Sequence, residues 1–328
     1  MKDFDVVLAS GALHLKRDFE EMGFRTIVPD MNYDGRRFFP NAELYARLSE
    51  VSEVSGRNVV VFQSCTGSSP ERDEMWSTAD RLVELLLLLN ILNHPLSSEK
   101  VGHKDFKITN ITPPTKIDVV LTFQPFALQD KAFLTGESIS GKWAIEQILE
   151  NCRKLYVVNP HADPRLPWVK QLVSTGRYEV IDIMPDLIKF AAKKFEFNDY
   201  CVIAPDEGAQ ARFHVEGFGK CRTDSFTVEL RGDIQVEDVN VIVIDDLTKS
   251  GSTLLKAADR LLELGAKDVG MAVVHAIPLR AEGEKLLERL LEKIGDTIVT
   301  TNSVYTHLFC EQYKHLTYNI VDRLIDAL

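Results

Sequence analysis

The segment Val241-Ile-Val-Ile-Asp245-Asp246-Leu-Thr-Lys-Ser250-Gly251-Ser252-Thr253 joins four apolar residues, two adjacent carboxylates and a turn rich in hydroxyl and glycine residues. The helical pattern Leu254-Leu-Lys-Ala-Ala-Asp-Arg-Leu-Leu follows at once. Backbone N–H groups at a helix start, helped by serine and threonine hydroxyls, can hold a phosphate. Two carboxylates beside that cradle would face the phosphate's neighbour, such as a sugar diol. An Asp-Asp pair after a strand is also compatible with a structural turn and a capped helix. Other chemistry-bearing residues stand at Gln129-Asp130-Lys131, His161, Asp206 and Lys220-Cys-Arg222. Read alone, they fit a loop or helix cap, a hydrogen-bonded histidine, an acidic turn and a solvated basic face. Gly217-Phe218-Gly219 is too short for a dinucleotide fingerprint. The sequence contains no GxxxxGK[ST] string, which excludes a P-loop kinase on motif grounds.

These residues sit at the ends of short apolar runs that alternate with helical patterns. Val6-Val-Leu, Thr26-Ile-Val, Val59-Val-Val-Phe, Val119-Val-Leu and Tyr156-Val-Val read as strands. Tyr178-Glu-Val-Ile, Cys201-Val-Ile, Val241-Ile-Val-Ile and Val269-Gly-Met-Ala-Val-Val read likewise. Helices are expected over Arg72–Asn93, Lys142–Asn151, Met184–Lys194, Ser252–Leu264 and Gly283–Ile294. Such alternation implies an α/β chain with mostly parallel sheets flanked by helices. The pattern is doubled, which predicts an N-terminal domain over 1–154 and a C-terminal one over 155–328. A last helix over Val321–Leu328 is placed to pack back on the first domain. The polar, proline-containing stretch His94–Lys116 reads as a surface insertion.

With 328 residues, 45% hydrophobic and 27% charged, the chain can bury a substantial core. A net charge of -11 argues against nucleic acid as the main partner. Cys65, Cys152, Cys201, Cys221 and Cys310 form no CxxC pair, so free thiols in a reducing compartment are expected. Met1-Lys-Asp-Phe-Asp-Val-Val-Leu lacks a signal-peptide core, and Leu85–Leu89 is too short to span a bilayer. Leu85–Leu89 is read as the inward or interface face of a helix. A cytoplasmic protein without membrane association is expected.

The string from Asp245 to Thr253 resembles the 5-phosphoribosyl 1-diphosphate (PRPP) motif of the type I phosphoribosyltransferase fold. The wider set resembles the ribose-phosphate diphosphokinases, or PRPP synthetases. Asn32-Tyr33-Asp34-Gly35 is similar to their adenine loop, and Gln124-Pro-Phe-Ala-Leu128-Gln129-Asp130-Lys131 to their ATP segment. Tyr156-Val-Val-Asn-Pro-His161 resembles the strand whose histidine serves the metal-nucleotide. Ile203-Ala-Pro-Asp206-Glu-Gly208-Ala-Gln-Ala-Arg212 is similar to a metal loop on the ribose-phosphate side, and Lys220-Cys-Arg222 to the catalytic-loop Lys-x-Arg. Thr300-Thr-Asn-Ser-Val resembles a late strand. The likenesses run in order over essentially the whole chain.

The resemblance implies two tandem phosphoribosyltransferase-like domains and transfer of pyrophosphate from a nucleoside triphosphate to ribose 5-phosphate. It implies Lys220 and Arg222 as catalytic residues, with Asp245, Asp246, Ser250, Gly251, Ser252 and Thr253 holding ribose 5-phosphate. Tyr33, Asp34, Gln129, Asp130 and Lys131 would hold the nucleotide, and His161 and Asp206 would hold Mg²⁺. It further implies a homodimer or larger homo-oligomer.

Departures gather on the nucleotide side. Leu128 stands in place of an arginine and cannot donate a hydrogen bond. Lys131 could reach the same phosphates from three residues on. Asn32 replaces an aromatic residue, Arg36 an acidic one, and Asn159-Pro160 alter the context of His161. Two readings account for this asymmetry: a synthetase with an altered or relaxed donor, or a non-catalytic homologue that binds sugar phosphates and regulates partners. Retention of Lys220, Arg222 and Asp206 favours the enzyme. A PRPP-consuming base transferase is a third reading, against which the doubled fold and Lys-x-Arg speak.

Overall fold

The structure, a computed structural model, describes residues 3–68, 71, 75–222, 228–231 and 235–328, with backbone alone at 219–222 and 228–231. The chain forms two compact units, Met1–Val158 with Lys170–Val180, and Asn159–Val169 with Ile181–Leu328.

The first unit begins with β1 (Asp5–Leu8), α1 (Lys16–Glu21), β2 (Thr26–Ile27), β3 (Asn58–Ser64) and α2 (Thr78–Asn93). An antiparallel hairpin of β4 (Leu96–Lys100) and β5 (Phe106–Asn110) follows. Then come β6 (Lys116–Phe123), α3 (Ser140–Leu149), β7 (Lys154–Val158), α4 (Pro167–Ser174) and β8 (Tyr178–Ile181). The sheet runs β2-β1-β3-β6-β7-β8, with β1, β2, β3, β6 and β7 paired in parallel. Its central strands are buried nearly throughout, which suits their unbroken apolar runs. The division expected after 154 falls at the start of β7.

The apolar pattern placed the start of α2 at Arg72, but the helix starts at Thr78. Ser77 sets that boundary by a capping box: its hydroxyl accepts from Asp80 N–H, and the Asp80 carboxylate accepts from Ser77 N–H. Leu82, Leu85, Leu88, Leu89 and Leu92 are buried, so the leucine run is mainly core. The hairpin in the expected insertion leaves Leu96, Phe106 and Ile108 exposed.

The second unit contains α5 (Met184–Lys194), β9 (Tyr200–Ile203) and α6 (Glu207–Phe213). A hairpin of β10 (Gly219–Arg222) and β11 (Val228–Arg231) follows. Next are β12 (Asn240–Thr248), α7 (Ser252–Glu263), β13 (Val269–Ala276) and α8 (Lys285–Ile294). The unit ends with β14 (Ile298–Thr301), β15 (Thr317–Tyr318) and α9 (Val321–Asp326). Its parallel sheet has the order β15-β14-β13-β12-β9. The last helix belongs to this unit, where Arg323 lies 3.7 Å from Asp186 of α5. Leu254, Ala257 and Leu261 of α7 and Leu287 and Leu290 of α8 close over β12 and β13 in one apolar core.

Leu88 is fully buried in α2. Leu88→Ala should lower stability by about 2–5 kcal/mol through lost burial and the cavity it leaves. Denaturant unfolding checks this, with exposed Leu96→Ser as a control expected within about 0.5 kcal/mol of wild type.

Candidate active site

The carboxyl ends of parallel strands are where α/β sheets place ligands. In the second unit β12 delivers Asp245 and Asp246 there, and the strand continues through them to Thr248. β9 leads to Asp206, which caps α6 by accepting the Ala209 N–H at 3.0 Å. The Gly turn expected after Asp206 is therefore the first turn of a helix that contains Gly208. The cap bond from Asp206 starts that helix.

Asp246 joins these pieces. It is 1% exposed, and its Oδ2 lies 2.6 Å from His161 Nδ1. On its other side, Arg212 Nη2 stands 2.7 Å from Oδ1 and 3.6 Å from Asp245 Oδ1. Arg212 Nη1 donates to the His161 carbonyl at 3.3 Å, and Asp245 Oδ1 accepts the Asp246 N–H at 2.9 Å. The two neighbouring acids therefore differ. Burial raises the Asp245 carboxyl well above the usual range, and the charge of Asp246 adds to that rise. Arg212 opposes it, and Asp206 reinforces it. Burial would raise Asp246 too, but the bond and charge of His161, with Arg212, outweigh it and hold this acid at about 2.

The loop after β12 is preorganised. Thr248 Oγ1 accepts the Gly251 N–H at 2.9 Å, and Gly251 adopts φ +70°. A Cβ on Gly251 would come within 2.5 Å of Leu290 in α8. Ser250 and Ser252 hydroxyl oxygens lie 3.3 Å apart. The N-cap residue Gly251 has no side chain to cap α7, and the first helical N–H, that of Ser252, makes only a long 3.5 Å bond to Ser250 Oγ, so the start of α7 is placed to meet an anion beside Ser252 and Thr253.

Two positions not assigned to the site from sequence hold His161 in place. Asn159 has a positive φ of 32°, which asparagine tolerates, and its side chain accepts the Ile183 N–H at 2.8 Å. Its carbonyl lies 3.2 Å from Nε2 of buried His275, whose Nδ1 lies 2.8 Å from Ser303 Oγ. A carbonyl only accepts, so Nε2 carries the proton in that bond. The departure Asn159 thus has a structural role. Arg212 closes the string likened to a metal loop but was given no role of its own, and His275 carried no sequence signal, because the partners of both lie far along the chain.

The expected nucleotide residues lie in the first unit. Tyr33 is 87% exposed, and Asp34 donates its N–H to Asn32 Oδ1 at 2.9 Å. Gln129 Oε1 accepts from Ser140 at 2.6 Å, Asp130 is buried, and Lys131 Nζ stands 5.3 Å from the Phe133 ring centre. Lys220 and Arg222 lie on β10, and their side chains are outside the described residues.

Among the described residues, no group of three or more His, Cys, Asp or Glu side chains is placed to hold a metal ion. A smaller donor set suits Mg²⁺, which is commonly held by one or two carboxylates with substrate phosphates and water. Asp206 raises the neighbouring Asp245, so a cation between these hard oxygen donors would relieve their repulsion.

A family model described as Phosphoribosyl transferase domain matches residues 201–316. The fold also resembles the crystal structure of phosphoribosylpyrophosphate synthetase from Mycobacterium smegmatis, with a TM-score of 0.71 and 20% identity. That likeness covers 99% of this chain and 97% of the other. The chain is thus an α/β protein of two phosphoribosyltransferase-like domains. Among curated relatives, ribose-phosphate pyrophosphokinase of Sulfurisphaera tokodaii is 27% identical over 82% of this chain and 83% of its own. That of Pyrococcus furiosus is 27% identical over 92% and 94%. The chain is similar to these ribose-phosphate pyrophosphokinases over most of its length.

Gly251→Ala should be destabilising by about 1–3 kcal/mol, from the left-handed backbone and the overlap with Leu290. Thermal unfolding measures that loss, and a phosphate-protection assay should show weaker stabilisation by added phosphate than in wild type.

Proposed function

We propose that the chain transfers pyrophosphate from a nucleoside triphosphate to ribose 5-phosphate, forming PRPP and a nucleoside monophosphate. The carrying observation is the pairing of the Asp245–Asp246 acids with the Gly251-hinged turn at the start of α7, in a chain similar to ribose-phosphate pyrophosphokinases over most of its length. The loop takes the 5-phosphate, and the Asp245–Asp246 pair lies on the ribose side. The anomeric oxygen attacks the β-phosphorus, the bond from that phosphorus to the α-phosphate oxygen breaks, and the monophosphate leaves with the electron pair. The anomeric proton passes to solvent or to a basic group of the site. Catalysis is then positioning and charge stabilisation.

Lys220 and Arg222 are assigned to neutralise charge developing on the transferred group, an effect that grows as water is excluded. Asp206 would hold Mg²⁺ together with substrate phosphates, and His161 contributes Nε2, since its Nδ1 meets Asp246. The ion supplies charge neutralisation across the phosphate oxygens.

Tyr33, Asp34, Gln129, Asp130 and Lys131 are assigned to the nucleotide. Leu128 is 51% exposed and offers no donor, while exposed Lys131 supplies a nearby cation. A donor choice broader than ATP accommodates this exchange. Neither the non-catalytic regulator nor the base transferase draws support from the relatives. A homo-oligomer and a cytoplasmic setting complete the reading. Exposed Leu96, Phe106 and Ile108 support the first; for the second, no helix among the described residues is long and apolar enough to cross a membrane.

The test is ³¹P NMR of ribose 5-phosphate and Mg²⁺ with ATP, GTP or CTP in turn. PRPP should appear with at least one donor, and with more than one if the donor site is relaxed. Ribose 5-phosphate binding without PRPP from any of the three would contradict catalysis.

A further inference from the structure

Arg212 stands on α6, four residues after Gly208. A Cβ on Gly208 would crowd Asp206 Oδ1 at 3.2 Å and would touch Arg212 Nη1 at 3.4 Å, so the guanidinium lies directly over this glycine. The arginine side chain is 12% exposed. Its Nε is buried and has no hydrogen-bond partner among the described residues. The Nη groups alone are used, one toward the acids of β12 and one on the His161 carbonyl. A solvated arginine would satisfy all its donors, so this side chain is placed by the site's geometry and not by its own hydration.

The contacts also divide the two acids by role. Asp246 meets His161 at Oδ2 and forms an ion pair with Arg212 at Oδ1, an oxygen with no hydrogen-bond partner among the described residues, so opposite charge faces both its oxygens within the protein. Asp245 uses Oδ1 for the Asp246 N–H, which leaves Oδ2 for a ligand. We propose that Arg212 is a positioning residue of the sugar-phosphate site: it is the fixed counter-charge of the Asp245–Asp246 pair, and it leaves Asp245, not Asp246, as the carboxylate that meets the ligand. The inference rests on the reading of this site as a ribose 5-phosphate site. A planar guanidinium can address two carboxylates and a carbonyl together, whereas a lysine ammonium is a single compact charge. Loss of that charge would leave two neighbouring buried acids in repulsion.

The test is calorimetric titration of ribose 5-phosphate, in Mg²⁺ buffer, into wild type, Arg212→Lys, Arg212→Met, Asp245→Asn and the double variant Arg212→Met/Asp245→Asn. Circular dichroism melting confirms that each is folded. Arg212→Met should bind about 10- to 100-fold more weakly than wild type, as loss of a charge-assisted contact predicts. Arg212→Lys should fall between the two. The double variant should bind more weakly than Asp245→Asn, since Asp246 still loses its counter-charge, but by a smaller factor than Arg212→Met costs alone, because a neutral asparagine no longer repels Asp246.

Wild-type affinity in Arg212→Met would overturn the proposal, as would losses that multiply in the double variant. If Arg212→Met does not fold, Arg212→Lys decides, and wild-type affinity there counts against the proposal. Wild-type binding without PRPP formation would remove the transfer reading and leave this inference standing. No binding by wild type would remove both.

Discussion

Taking a carboxylate out of water costs several kcal/mol unless opposite charge and hydrogen bonds meet it inside. Asp246 is 1% exposed, and His161 at 2.6 Å and Arg212 at 2.7 Å meet its two oxygens. Through those contacts one side chain fixes the end of β12, the turn that carries His161 and the helix that follows Asp206. Breaking a buried pair by removing one partner is more damaging than the pair's own net contribution suggests, because the other charge stays buried. The site geometry therefore depends on a balance of charge more than on apolar packing alone.

That balance separates two adjacent residues of the same type. Asp246 stays ionised and internal, while burial and its neighbour's charge raise Asp245. A raised, partly committed carboxylate next to a phosphate loop suits a ligand that brings its own cation. The loop is held from behind in turn. Gly251 has no room for a side chain against Leu290, so α8 braces the turn from which the α7 N–H groups project. On the proposed reading, a rigid cradle for ribose 5-phosphate would let binding energy position the anomeric oxygen for in-line attack.

Much of this was legible in the sequence, for identifiable reasons. The short, mostly β-branched runs Val241–Ile244 and Val59–Phe62 read as strands covered on both faces, and the structure buries them so. The Ser/Gly/Ser/Thr stretch marked a turn between a strand and a helix, and the structure has that turn, because backbone geometry there is local. Local reasoning failed where partners are remote. Arg212 meets Asp246, and His275 meets the Asn159 carbonyl, through sheet topology that no spacing encodes. Short elements were also missed: α4, α6, and the β4–β5 and β10–β11 hairpins are too brief to build a periodic signal. Asn159 was read as a departure from a family pattern, yet its side chain bonds Ile183 N–H and Asp182 to hold the turn.

The most direct test of the account follows one atom. Ribose 5-phosphate carrying ¹⁸O in its anomeric hydroxyl is turned over with the preferred triphosphate, and the products are separated and examined by mass spectrometry and ³¹P NMR. Attack by that oxygen on the β-phosphorus predicts that the label is retained in the C1–O–P bridge of PRPP, with none in the nucleoside monophosphate. Label lost from the sugar product, or a labelled monophosphate, would contradict pyrophosphate transfer to the anomeric oxygen.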